Sequence, residues 1–217
     1  FRSLSLDLIY GLPFQDHISM AETLRKVIGL RPDRIACYNY AHLPERFKPQ
    51  RSIDRLTLPE PEEKLVLAQM ISATLQDAGY RHIGMDHYVL PDDDLALAQG
   101  EGRLQRNFQG YSLQLADDLL GLGVSAISQI GDFYLQNARD LEDYYRRIDA
   151  GELPLNRGCM VTSEDKLRRH VIMTLICELA LDIADCERRF GIDFRAHFAD
   201  ELATLAPLEA DGLLTLG

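Results

Sequence analysis

Leu4-Ser5-Leu6-Asp7-Leu8-Ile9-Tyr10-Gly11-Leu12-Pro13 decides the fold. It reads as a buried strand running into a glycine turn, with one acid inside it. Side chains alternate across a strand, so Leu4, Leu6, Leu8 and Tyr10 share one face and Ser3, Ser5 and Asp7 the other. In a barrel the polar set faces the lumen, where chemistry is done. A buried parallel strand needs neighbours on both sides, and nothing precedes Phe1 to pair with it. The chain is therefore expected to be the C-terminal part of something larger.

Outward from that strand the pattern alternates. Ile18, Ala21, Leu24, Val27 and Ile28 form a helical stripe over 17–29, with Asp16 as a cap and Pro32 beyond its end. Residues 34–40 read as a second strand. A longer helix over 61–78 opens at Pro59 and Pro61 and closes at Gly79. Residues 81–87 read as a third strand. This β-α-β-α-β order predicts right-handed crossovers and a parallel sheet. Asp92-Asp93-Asp94 caps a helix over 95–103. Arg106 to Tyr111 is extended, 118–131 is a strand or tight turn, and 138–149 is an amphipathic helix. Residues 151–157 read as a linker. After Cys159, Thr162 and Asp165 make a capping-box start for a helix to about Leu181. Short helices follow near 185–190 and 194–205, and Leu213 to Leu216 reads as the start of a hairpin.

The expected architecture is thus α/β: the last strands of an incomplete (β/α) barrel over 1–90, a substrate-covering region and linker over 91–157, and a mainly helical, winged-helix-like domain over 158–217. Hydrophobic residues make up 46% of the 217 and charged residues 26%, enough to bury a core. No stretch approaches the roughly 20 apolar residues of a membrane span. The net charge of −11 argues against nucleic acid. The C-terminal 159–217 stretch carries six Lys/Arg against eleven Asp/Glu, net −5, the wrong sign for gripping a duplex. Cys37, Cys159, Cys177 and Cys186 contain no close pair, which predicts reduced, mostly buried thiols and no metal site of their own.

Asp7 is the leading chemical candidate. A charge inside an apolar strand must be paired or hydrogen-bonded. It is either a structural ion pair or, at a barrel strand end, an acceptor for two ribose hydroxyls. Tyr38-Asn39-Tyr40-Ala41-His42-Leu43-Pro44 ends the second strand, and small Ala41 would let a flat base approach the backbone. His42 and His87 lack ligand spacing and read as hydrogen-bonding residues. The segments Met85-Asp86-His87-Tyr88 and Arg106-Asn107-Phe108-Gln109-Gly110-Tyr111 read as a ligand wall or as loops packed by their own aromatics. Arg103 and Arg106 suit either a carboxylate clamp or a surface pair.

These segments, with Pro91-Asp92-Asp93 and Gly121-Leu122-Gly123-Val124-Ser125-Ala126-Ile127, occur in an order that resembles the C-terminal half of the oxygen-independent coproporphyrinogen III oxidases. These are radical S-adenosylmethionine (SAM) enzymes of haem biosynthesis. Haem chaperones of the same superfamily share the first strand but diverge in the Met-Asp-His and Arg-Asn-Phe-Gln-Gly-Tyr segments, which are intact here. The resemblance implies oxidative decarboxylation of two propionates of coproporphyrinogen III, with SAM, a [4Fe-4S] cluster and an unassigned electron acceptor, in the cytoplasm. It implies that Asp7 contacts the ribose of SAM, Ala41 meets that cofactor through its backbone, and Ile127 lines its pocket. Phe108, Gln109 and Arg106 fall near the substrate or a second SAM. The family's C-x-x-x-C-x-x-C motif is absent from these residues, so the chain alone is expected to bind no cluster and to be inactive. Its first strand is expected to promote self-association. The alternatives are a haem chaperone and a non-catalytic interaction module.

Overall fold

A computed structural model describes residues 3–107, 110–113 and 118–216. The chain divides into two compact units, residues 1–115 and 116–217. The division falls within the stretch expected to serve as cover and linker.

In the first unit, β1 (Ser5–Tyr10) pairs in parallel with β2 (Arg34–Asn39). The crossover is α1 (His17–Leu30), which Asp16 starts with a capping box shared with Ser19. The apolar stripe of α1 buries Met20, Leu24 and Val27. These meet Leu67, Ile71 and Leu75 of α2 (Pro61–Asp77) and Ile35 and Cys37 of β2, with Leu6, Leu8 and Tyr10 of β1 packed against the same core. Each fully buried aliphatic side chain contributes about 1.5–3 kcal/mol. The strand α2 leads into is fixed by a tight stop at Gly79, which sits at φ +90°. There the Gly79 N–H donates to the Gln76 carbonyl and the Tyr80 N–H to that of Leu75. Tyr80 thereby enters the core beside Leu75.

The third expected strand is instead a hairpin. β3 (Arg81–Gly84) turns back at Met85, which holds φ +48°, into β4 (His87–Val89). β4 lies antiparallel to both β2 and β3, giving the order β1-β2-β4-β3. The sheet is therefore mixed rather than wholly parallel. With a direct turn after β3, no crossover is available to make the next strand parallel. β1 is an edge strand of this sheet. The Leu4 and Tyr10 carbonyls accept from Arg34 and Tyr40, at 3.1 and 2.8 Å, so even-numbered peptide groups of β1 face β2. Of the expected cap run, Asp93 is the residue that caps α3 (Asp94–Gly100). Its other oxygen accepts from Arg34 Nε at 2.8 Å, tying β2 to that helix. A short hairpin, β5 (Gln105–Asn107) and β6 (Gly110–Ser112), pairs Arg106 with Tyr111.

The second unit holds an antiparallel meander of β7 (Ile127–Ile130), β8 (Phe133–Asn137) and β9 (Leu155–Met160), with α4 (Leu141–Asp149) between the last two. Part of the expected linker is thus β9. Helices α5 (Ser163–Glu178), α6 (Ile183–Phe190), α7 (Phe194–His197) and α8 (Ala199–Ala210) follow. They pack around Leu167, Cys186, Phe194 and Phe198. The capping box of Thr162 and Asp165 starts α5 as expected. α8 runs through Pro207 rather than ending before it. Within the helix Pro207 supplies no N–H to the carbonyl four residues earlier and its ring crowds that carbonyl, which weakens the last turns of α8. Residues 213–216 form no strand, so the expected terminal hairpin is not present there.

Candidate functional site

The polar face of β1 opens onto a cavity of about 210 Å³, whose walls include Ser5, Asp7, Arg34, Tyr38, His87 and Tyr111. Alternation along β1 is what places Asp7 there: Leu6 and Leu8 pack inward, and Asp7 is exposed on the opposite face. Asp7 makes no ion pair among the described residues, and its register partner is Ala36 of β2. A carboxylate on a strand face that makes no ion pair keeps its acceptor lone pairs for a ligand. That donor and acceptor chemistry fits a ribose diol.

Ala41 is exposed in the loop that follows β2. Its carbonyl accepts from Gln50 Nε2 at 3.1 Å, while Gln50 Oε1 accepts from the Leu43 N–H at 2.5 Å. Gln15 does the same after β1: Oε1 accepts from the N–H groups of Gly11 and Leu12, at 2.6 and 3.2 Å, and Nε2 donates to the Ile9 carbonyl at 3.3 Å. Two glutamine amides thus brace the loops at the C-terminal ends of the parallel pair. Sequence reasoning missed both, because a glutamine in a loop carries no pattern that reveals what its amide reaches. Ile127 opens β7 in the second unit and is half-buried. Phe108 and Gln109 lie outside the described residues.

The arginine alternatives now separate. Arg103 is a surface pair with Glu101. Arg106 is different: its Nε is buried and has no hydrogen-bond partner among the described residues. Its guanidinium lies over the Tyr111 ring, 5.6 Å from the centroid. His87 meets Tyr111 edge-on at 5.1 Å and Tyr38 at 6.0 Å. Its Nδ1 is also buried without a partner among the described residues. Burial, assisted by the positive Arg106 and opposed by Asp86 and Asp7, holds the His87 pKa below its ordinary value. The imidazole is therefore neutral near pH 7. Burial, with Asp7 and Asp86 nearby, raises the Tyr38 pKa. His42 Nδ1 stands 3.4 Å from the Tyr40 hydroxyl. The Met85-Asp86-His87-Tyr88 segment is a hairpin turn built into the sheet: the Asp86 carbonyl accepts from the Cys37 N–H at 2.8 Å, and Tyr88 stacks on His82 at 4.8 Å.

All four cysteines are free; Cys37, Cys177 and Cys186 are buried and Cys159 is exposed. Burial and Asp86 push the Cys37 thiol up to about 12, far from the thiolate a metal requires. No group of three His, Cys, Asp or Glu among the described residues could hold a metal ion. An iron–sulfur cluster does not fit these residues, since its ligation takes convergent thiolates.

A family model described as the HemN C-terminal domain matches residues 161–216. The oxygen-independent coproporphyrinogen III oxidase of Pseudomonas aeruginosa is 54% identical over 216 residues, covering 100% of this chain and 47% of that protein. The Thermostichus vulcanus protein of the same name is 46% identical over 218 residues, and the match covers 67% of its length. The chain belongs to the oxygen-independent coproporphyrinogen III oxidase family. It spans about half the length of most of the curated relatives it matches, 47% in the Escherichia coli protein, to which it is 50% identical. The solved structure reported as "Coproporphyrinogen III oxidase (HemN) from Escherichia coli is a Radical SAM enzyme" superposes with a TM-score of 0.96 at 49% identity, over 100% of this chain and 50% of that one. The α/β fold with a helical C-terminal part is therefore the family's fold.

Proposed function

We propose that the protein carrying this chain converts coproporphyrinogen III to protoporphyrinogen IX by oxidative decarboxylation of two propionates, in the cytoplasm, and that this chain supplies one wall of the site. The observation that carries this reading is identity near one-half through the whole chain with a TM-score of 0.96 to an enzyme described as radical SAM. When bound, SAM and a cluster held by other residues would supply the radical that takes hydrogen from the propionate. This chain's own share is positioning. Asp7 accepts the ribose hydroxyls, Ala41 presents backbone from a loop fixed by Gln50, and Ile127 adds apolar surface that excludes water. Neutral, closely packed walls suit radical chemistry because they limit side reactions. The family resemblance assigns Phe108 and Gln109 to the vicinity of the substrate or a second SAM. Alone, the chain lacks the cluster ligands and does not turn over.

Full-length protein assayed anaerobically with reductant, SAM and coproporphyrinogen III should release carbon dioxide and form the divinyl product. Asp7→Asn should weaken SAM binding by roughly 10-fold or more, since a hydrogen bond to a charged group contributes about 1.5–3 kcal/mol. Its melting temperature should stay close to wild type, because Asp7 is exposed and supports no ion pair. A large fall in melting temperature at unchanged SAM affinity would reject the assignment.

A further inference from the structure

Arg106 and His87 share an unusual deficit: each buries a polar atom, Nε and Nδ1 respectively, with no hydrogen-bond partner among the described residues. Buried polar atoms are nearly always satisfied, and leaving a donor bare costs about 1–3 kcal/mol. Arg106 Nε can only donate, so the missing partner is an acceptor. Asp7 and Asp86 both act electrostatically on His87, yet neither bonds to Arg106 among the described residues. Arg106 keeps its orientation through the face of Tyr111, its register partner across the β5–β6 hairpin. Tyr111, His87 and Gly110 all line the cavity that Asp7 faces. The opening is about 210 Å³. Pockets that enclose whole drug-sized ligands run to roughly 300–1,000 Å³, so this one takes an arm of a ligand rather than a macrocycle.

We propose that Arg106 and His87 form a carboxylate seat that holds one propionate arm of the tetrapyrrole, with Tyr111 orienting the guanidinium. This deepens, and rests on, the substrate reading above. A guanidinium matches a carboxylate's two oxygens in a planar fork, and a neutral imidazole adds a third hydrogen bond without adding charge. The seat gives the Arg106 Nε an acceptor, whereas Arg103, three residues away, is paired with Glu101. It fixes the substrate by a group that is not consumed there, which is how remote contacts align a reacting carbon.

Full-length protein can be titrated with coproporphyrin III, a stable tetracarboxylate probe, and with its tetramethyl ester, by fluorescence quenching. Arg106→Gln should weaken coproporphyrin III binding at least 10-fold while ester binding changes less than twofold. Arg106→Lys should recover part of the loss, and His87→Phe should show a smaller loss of the same selectivity. SAM affinity and melting temperature, measured on each variant, should stay at wild-type values. Equal losses for acid and ester, or unchanged acid binding in Arg106→Gln, would overturn the seat while leaving the enzyme assignment standing. A wild-type protein that neither binds coproporphyrin III nor decarboxylates coproporphyrinogen III would overturn the assignment and the seat together.

Discussion

At the scale of single residues, two glycines with similar surroundings should respond differently to a methyl group. A Cβ on Gly121 would stand 2.6 Å from the Ile127 carbonyl oxygen and 2.9 Å from its carbon, both backbone atoms. A Cβ on Gly158 meets chiefly the tip of Leu135, at 2.7 Å, which can rotate away. Gly121→Ala should therefore destabilise by about 1–3 kcal/mol or more, and Gly158→Ala by less, as urea denaturation would show. The Gly121 loop is already pinned, since its N–H donates to buried Ser128 at 3.0 Å and Asn137 Nδ2 reaches the Gly121 and Gly123 carbonyls at 3.3 and 2.9 Å. His87 gives a second test. Burial, Arg106 and His82 lower its pKa, against the pull of Asp86 and Asp7. The folded state then binds fewer protons than the unfolded state below the ordinary value of about 6.5, so His87 costs stability as pH falls through that value. His87→Gln should lessen the drop in urea midpoint between pH 7.5 and 5.5; an unchanged drop would assign it to other groups. The position of Asp7 was legible from sequence because period-two alternation alone selects its face. The bare Nε of Arg106 was not, because sequence spacing separates neither arginine from its neighbours.

At the scale of elements, helix boundaries were the most legible feature, because caps are local. Asp16, Asp93 and Thr162 each act where side-chain chemistry put them. Thr162→Ala should destabilise by about 1 kcal/mol, since it removes the hydroxyl that accepts from the Asp165 N–H and donates to its carboxylate, leaving only the backbone half of the box at the head of α5. Thr162→Ser should restore most of that in the same thermal melts. Strand direction was not legible. The reversal at Met85 puts a left-handed φ of +48° on a methionine, and the lone Gly84 before it does not set the direction of the next strand. β9 was hidden for another reason. All of it but Leu155 is exposed, so it lacks the apolar alternation that marks a strand, and the Gly151-Glu152-Leu153-Pro154 approach reads as a linker.

At the scale of the molecule, the mixed sheet has a consequence for how the chain behaves by itself. β1 is an edge, and Leu4 and Ile9 are 43% and 45% exposed beside it. An unpaired apolar edge is a template for another strand. Opposing this is the charge of −11, which salt screens within roughly 8–10 Å. Light scattering of the isolated chain should therefore rise with salt, and a strictly monomeric chain at high salt would show that the edge is covered. The same edge should also leave a rhythm in time. Because even-numbered peptide groups of β1 turn toward β2, the amides of Leu6 and Leu8 are locked, while those of Ser5, Asp7 and Ile9 face outward. Deuterium should enter this strand at every second residue, fast and slow alternating from Ser5 to Ile9. In the full-length protein a strand laid on that edge would slow the outward amides and erase the alternation, so the adjacent exchange rates from Ser5 to Ile9 would record whether β1 has a second neighbour.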